Sequence, residues 1–285
     1  MFKVLFEYQF LQNALLASIL ASIVCGIIGV IIVEKKLVMM SGGIAHTSYG
    51  GVGLGYLMGF EPILGAFLFS ICAALGIGYI KRKGGARSDV VIGLFWSLGM
   101  ALGIVFIVLM PGYPPELNSY LFGNILSVTK FDLYLMISLT LFVMFVIITF
   151  FNKWKAYLFD DEFALIIGIK TVILEYLLLI LIAMTVVVLI RVVGIILVVA
   201  LLTAPAATAG ILTHNLKNRM IFSVVFGIAY SLIGLYISYE MNIPSGAVIV
   251  ILSVMCYLIS YSIQSIIKRI KRRRISAING NILRE

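Results

Sequence analysis

Charge is what this chain has least of. Among its 285 residues 12% are Asp, Glu, Lys or Arg and 62% are apolar, against about 25% and roughly 45–50% in soluble globular proteins. Mean hydropathy is +1.17. No stretch of domain length is rich in charge, serine or proline, which excludes a separate soluble domain. No GxxxxGK followed by Ser or Thr occurs, so ATP cannot be bound by that loop, and any ATP-driven process must draw on another subunit. The three cysteines, Cys25, Cys72 and Cys256, lie far apart inside apolar runs with no CxxC, which argues for small buried residues and against a disulfide framework or thiolate metal site. There is no HExxH and no pair of aspartates within an apolar run, so an intramembrane metalloprotease lacks its chemistry.

What is present is a series of apolar runs. About twenty apolar residues cross a bilayer as a helix, and lipid forces every backbone polar group into internal hydrogen bonds. The runs near 10–33, 38–58, 62–80, 89–110, 131–151, 171–190, 193–212, 221–239 and 245–267 predict an all-α, polytopic membrane bundle of eight or nine spans. The first follows Lys3 and Glu7 without a small-residue cleavage site, and is expected to be a retained helix rather than a signal peptide. Orientation follows from the basic residues. With nine spans and a cytoplasmic C-terminus, only Lys3, Lys130 and Arg191 of the 21 lysines and arginines stay outside. The net charge of +9 is then a topology signal with anionic lipid as its neighbour, not a nucleic-acid footprint. Residues 1–267 form the membrane domain in this reading, and 268–285, starting at Lys268, form a basic cytoplasmic tail.

Four stretches depart from plain spanning helix. Residues 41–55, SGGIAHTSYGGVGLG, carry glycines that let helices approach closely, so this helix is expected at the centre of the bundle. Within it Gly42, His46 and Gly50 share a face with Tyr49 nearby. A histidine at such depth is a functional candidate. It could ligate a transition metal or hydrogen-bond a neighbouring carbonyl. Residues from Pro111 to Thr129 are too polar and broken to span, and suggest a short helix across the outer mouth or a cap on helix ends. From Val193 to Gly210 the apolar helix is interrupted by Pro205 and emerges as a polar piece holding His214, Asn215, Lys217 and Arg219. A broken helix presenting such a stub at 200–220 suits docking onto a motor subunit, with His214 itself read as solvated. Near the outer turn before Pro244, Glu240 could draw cations to the mouth or simply be solvated.

Together these segments resemble the membrane-spanning permease subunit of ABC importers for zinc, manganese and iron. The likeness covers about residues 10–265. It rests on His46 in the second span, on Arg87-Ser88-Asp89 before Ile92-Gly93, on Leu121 to Leu126, on Asp132, and on Val193 to Ala209 with its Pro-Ala-Ala-Thr-Ala. One position departs: where the family pattern has Asp four residues before the histidine, this chain has Gly42. The resemblance implies a transport subunit that is not itself an enzyme and binds no cofactor, in the inner membrane of a prokaryote. It implies two permease copies, two ATP-binding subunits and an extracytoplasmic metal-binding protein. His46 would contact the metal, supported by Ser41, Thr47 and Tyr49, with Pro205, His214, Asn215, Lys217 and Arg219 coupling to the ATPase. Losing a carboxylate while keeping an imidazole leans the expectation towards zinc over manganese. The alternatives are an iron chelate or other small solute carried by the same architecture, and a secondary carrier without an ATPase, for which the spans hold few proton or sodium relays.

Overall fold

The computed structural model describes residues 8–83, 88–112, 123 and 125–282, excluding the side chains of 88, 126 and 271–282. Among the described residues ten α-helices follow in chain order: α1 (Gln9–Glu34), α2 (Val38–Met58), α3 (Pro62–Lys83), α4 (Ser88–Leu109), α5 (Lys130–Thr149), α6 (Phe151–Phe159), α7 (Asp161–Ile166), α8 (Thr171–Leu212), α9 (Leu216–Met241) and α10 (Ser245–Ile282). No strand occurs among the described residues. The apolar runs set helix existence, and local chemistry sets the ends. Thr129 and Asp132 close a reciprocal capping box on α5, and Asp160 and Asn215 cap α7 and α9. Gly59 and Asn242 end α2 and α9 in left-handed backbone.

Seven of these helices are long and apolar enough to cross a membrane, α8 counted once; glycine-rich α2 is not among the seven. The elements match the predicted runs closely, with α8 joining two of them. Burial sorts them into layers. In α8, 83% of the most apolar window is buried, against 28% in α4 and 22% in α10. α8 is therefore the axis, packed by α1, α3, α9 and α10, while α4, α5 and α10 turn residues such as Val108, Phe145 and Ile251 outward. Helix α2 is buried along most of its length, the central place its glycines predicted.

The sequence placed the break of the 193–212 helix at Pro205, and the structure moves it. The helix runs on through a buried Pro205, and the non-helical residue is Gly194, at φ 78° and ψ 160°. Proline costs a spanning helix one hydrogen bond, which neighbouring groups in a packed bundle offset. The Gly194 backbone is in a region open essentially to glycine alone. Straight, the 42 residues of α8 would reach about 63 Å, roughly twice the ~30 Å apolar core of a bilayer. The bend divides them at 171–193 and 195–212.

Ion pairs mark the two ends of the bundle. At one, Arg219 pairs with Glu34, Lys35 with Asp161, and Arg82 with Glu175 at 2.8 Å. Gln264, late in α10, donates to the Ile211 carbonyl at this same end. At the other end Arg191 meets Glu61 and Asp132. Most of the segment expected to lie across the outer mouth, 113–122 and 124, is outside the described residues, as are Arg87 and Lys3. Of the remainder, Ile125–Ser127 forms one 3-10 turn, and Gly123 lies against the backbone of Val193 and Gly194.

Candidate functional site

Close backbone contacts bring α2 onto α3 and α4. A side chain on Gly51 would run into the Gly65 carbonyl, and one on Gly50 would lie 2.9 Å from the Gly99 carbonyl. Gly53 faces Gly103 in the same way. These contacts need glycine because they leave no room for Cβ, and they hold α2 rigidly between its neighbours.

His46 is about 12 Å along α2 from its start. Its ring stacks on Trp96 of α4, centroids 4.0 Å apart and 9° from parallel. Its Nδ1 is buried with no hydrogen-bond partner among the described residues, so the carbonyl bond that would have explained the residue is not made. A Cβ on Gly42 would sit 3.7 Å from the Trp96 ring, ordinary contact, so Trp96 covers both the imidazole and the place one turn earlier. Tyr49 is buried and its hydroxyl is equally without a partner. The other two hydroxyls have committed their protons: Ser41 donates to the Val38 carbonyl at 2.8 Å, and Thr47 to the Gly43 carbonyl at 2.7 Å, with the Phe95 carbonyl 3.0 Å away. Each keeps lone pairs. Trp96 is thus an unforeseen neighbour of His46, while the Tyr49 ring lies against Gly103. Glu240 is exposed near the end of α9. No group of three or more His, Cys, Asp or Glu that could hold a metal occurs among the described residues.

A second polar feature was not foreseen. Arg191 Nη1 lies 2.9 Å from Glu61, and its Nε lies 2.9 Å from the buried Asp132 Oδ1, an off-axis pair held by charge rather than a straight hydrogen bond. The other Asp132 oxygen accepts from the Thr129 amide and hydroxyl at 3.0 and 2.6 Å. Glu61 and Arg191 also line a cavity of about 320 Å³ that reaches Ser48 and Val52 on α2. Arg191 was legible as one of three outer cations, with Lys3 and Lys130; its two partners, on α5 and just ahead of α3, come from distant sequence.

At the basic end, His214, Asn215 and Lys217 are exposed as predicted, and Asn215 uses its side chain to cap α9. Arg219 pairs with Glu34, which ties α9 to α1, and donates to the Thr213 carbonyl at 3.2 Å. Another exposed surface there is the elbow of α6 and α7. Trp154 and Tyr157 anchor it inward, while Phe159 is 92% and Ile166 82% exposed beside Asp160, Asp161 and Glu162. Lys35 sits 3.6 Å over the Tyr157 ring. Burial pushes the Tyr157 hydroxyl well above the usual tyrosine range, with Glu175 and Asp161 adding to the rise. The signal available in sequence was a short amphipathic run after a span, closed by three acids and Gly168.

A helical bundle whose axis is a bent spanning helix, with glycine-packed neighbours and cations concentrated at one end, defines a polytopic membrane protein. The chain belongs to the ABC 3 transport family, whose model matches residues 7–264. It is 36% identical over 257 residues to the manganese transport system membrane protein MntC of Listeria monocytogenes, covering 90% of this chain and 91% of that one. It is 35% identical over 269 residues to the manganese import system permease protein ScaB of Streptococcus gordonii, covering 94% and 96%. The solved structure of PsaBC from Streptococcus pneumoniae in complex with Fab superposes with a TM-score of 0.83 at 34% identity, over 91% of this chain and 94% of that one. As an ABC transporter permease the chain is a transport subunit and not an enzyme, and its family implies ATP-binding and substrate-binding partners.

Proposed function

We propose that this chain is the permease subunit of an ATP-driven importer of divalent transition metal ions, with manganese as its first cargo. The observation that carries this is the near full-length match to two permeases named for manganese, at 36% and 35% identity. The lean towards zinc rested on one imidazole. Oxygen donors suit manganese, and the hydroxyls of Ser41, Thr47 and Tyr49 stand on the same helix as His46. The chain crosses the inner membrane of a prokaryote nine times in this reading, α8 twice through its bend, and residues 268–285 end in the cytoplasm.

A second copy supplies what one chain lacks. Two α2–α4 faces across a shared pathway bring a second imidazole and a second set of hydroxyls, enough for transient contact and weak enough for release. An extracytoplasmic metal-binding protein delivers the ion at the Glu61–Arg191 end. At the basic end the ATP-binding subunit docks on the apolar elbow at Phe159 and Ile166 and on the stub at His214, Asn215 and Lys217. Its closure is transmitted along 195–212, past Pro205, to the bend at Gly194.

Metal accumulation in a host stripped of its own manganese importers tests the reading. The wild-type chain with its partner subunits should restore manganese uptake, and His46→Ala should abolish it at equal membrane expression. Restoration of zinc but not manganese would transfer the cargo to zinc, and restoration of neither would sink the importer assignment. Phe159→Asp with Ile166→Asp should end co-purification of the ATP-binding subunit; undiminished co-purification would remove the elbow from the interface.

A further inference from the structure

A trough of about 430 Å³ lies between the turn from α5 into α6 and the start of α8. Its floor is Phe150, Ile167, Ile169, Ile173, Leu174 and Leu177, and its rim carries Lys153 and Lys170. That volume falls within the roughly 300–1,000 Å³ of small-ligand sites. Two observations mark the trough as incomplete. Ile167 and Ile173 are both more than half exposed, although both line it. Lys153 and Lys170 are exposed on its rim, and neither has a carboxylate within ion-pair distance among the described residues, as is also true of Lys36, Lys83, Lys155 and Lys217, which do not line it. The start of α8, which no side chain caps, adds the positive end of the helix dipole beside Lys170.

We propose that this trough binds an anionic phospholipid of the cytoplasmic leaflet, its phosphate between Lys153 and Lys170 and an acyl chain along the isoleucine and leucine floor. The leaflet rests on the orientation given above. The level of the trough favours lipid over a protein segment: its floor belongs to the first turns of a spanning helix, and its lysines stand where that helix leaves the apolar core. Basic pockets between spanning helices on the cytoplasmic side suit anionic headgroups. The bound lipid covers the exposed isoleucines and braces Ile167 to Lys170, the link between the α6–α7 elbow and α8. Lipid charge would thereby bear on how firmly the elbow transmits motion to the bent helix.

The test counts lipids retained by the purified full chain in native mass spectrometry, titrating phosphatidylglycerol or phosphatidylcholine. Phosphatidylglycerol should bind at least tenfold more tightly than phosphatidylcholine. K153Q with K170Q should weaken it about fivefold per lysine and roughly thirtyfold together. K153R with K170R should keep it, as should K36Q with K155Q, exposed lysines that do not line the trough. Equal retention of both lipids, or undiminished phosphatidylglycerol binding in K153Q with K170Q, overturns the proposal. Displacement of the lipid by added ATP-binding subunit overturns it too, and assigns the trough to that protein interface. No transport is measured, so failure of the metal-import reading leaves this outcome separately readable.

Discussion

Replacing Gly194 by alanine tests the hinge with a built-in control. At φ 78° and ψ 160° an alanine Cβ is forced into backbone that only glycine occupies freely, at a cost of about 1–3 kcal/mol. Gly93 in α4 has ordinary helical backbone and nothing within 4 Å of its would-be Cβ. There alanine should gain about 0.5–1 kcal/mol through helix propensity. The same chemical change at two glycines therefore carries opposite signs. At about 2–4 °C per kcal/mol, Gly194→Ala should lower the thermal midpoint in detergent by roughly 2–12 °C, and Gly93→Ala should raise it by about 1–4 °C. Metal uptake should fall with Gly194→Ala, because resisting the bend also resists the motion through it, and stay level with Gly93→Ala. A Gly194→Ala chain as stable as wild type, or more so, would refute the claim that this residue rather than Pro205 divides α8.

Two more outcomes follow from the charges. Arg191→Met removes the guanidinium from the buried Asp132 carboxylate. Breaking such a pair costs about 3–5 kcal/mol when fully buried, and the exposure of Arg191 and Glu61 reduces that to about 1–3 kcal/mol. A double-mutant cycle with Asp132→Asn should show coupling of at least about 1 kcal/mol, and coupling near zero would remove the triad as a clamp on the outer end. Tyr157, whose ordinary value is 10.0, holds its proton more tightly in the fold, so the unfolded chain ionises first as pH rises. Stability is therefore full below about pH 10 and falls as pH rises above it. Tyr157→Phe should flatten that fall between about pH 9 and 11 in denaturant titrations; an unchanged slope would mean the tyrosine is not its source.

The spans were legible because a helix in lipid needs only a long apolar run, a one-dimensional property. The centrality of α2 was legible too, since glycine at positions 50, 51 and 53 announces close backbones. The break in α8 was misread because proline is the louder local signal. Gly194 looks ordinary until the backbone shows its φ, and until Gly123 is found against it. His46 could be singled out by its depth, but the orphaned Nδ1 and the covering Trp96 depend on how α4 packs. That Arg219 pairs with Glu34, distant in sequence, could not be read from the turn it stands at.

By itself, then, the sequence determined that this is an all-helical membrane protein with its cations gathered at one end, because hydropathy and charge act residue by residue. The tertiary structure decided which glycine bends the axial helix and which carboxylates Arg191 joins. It also decided which apolar residues remain uncovered at the basic end. Those outcomes depend on groups that meet only when helices far apart in the chain are packed together.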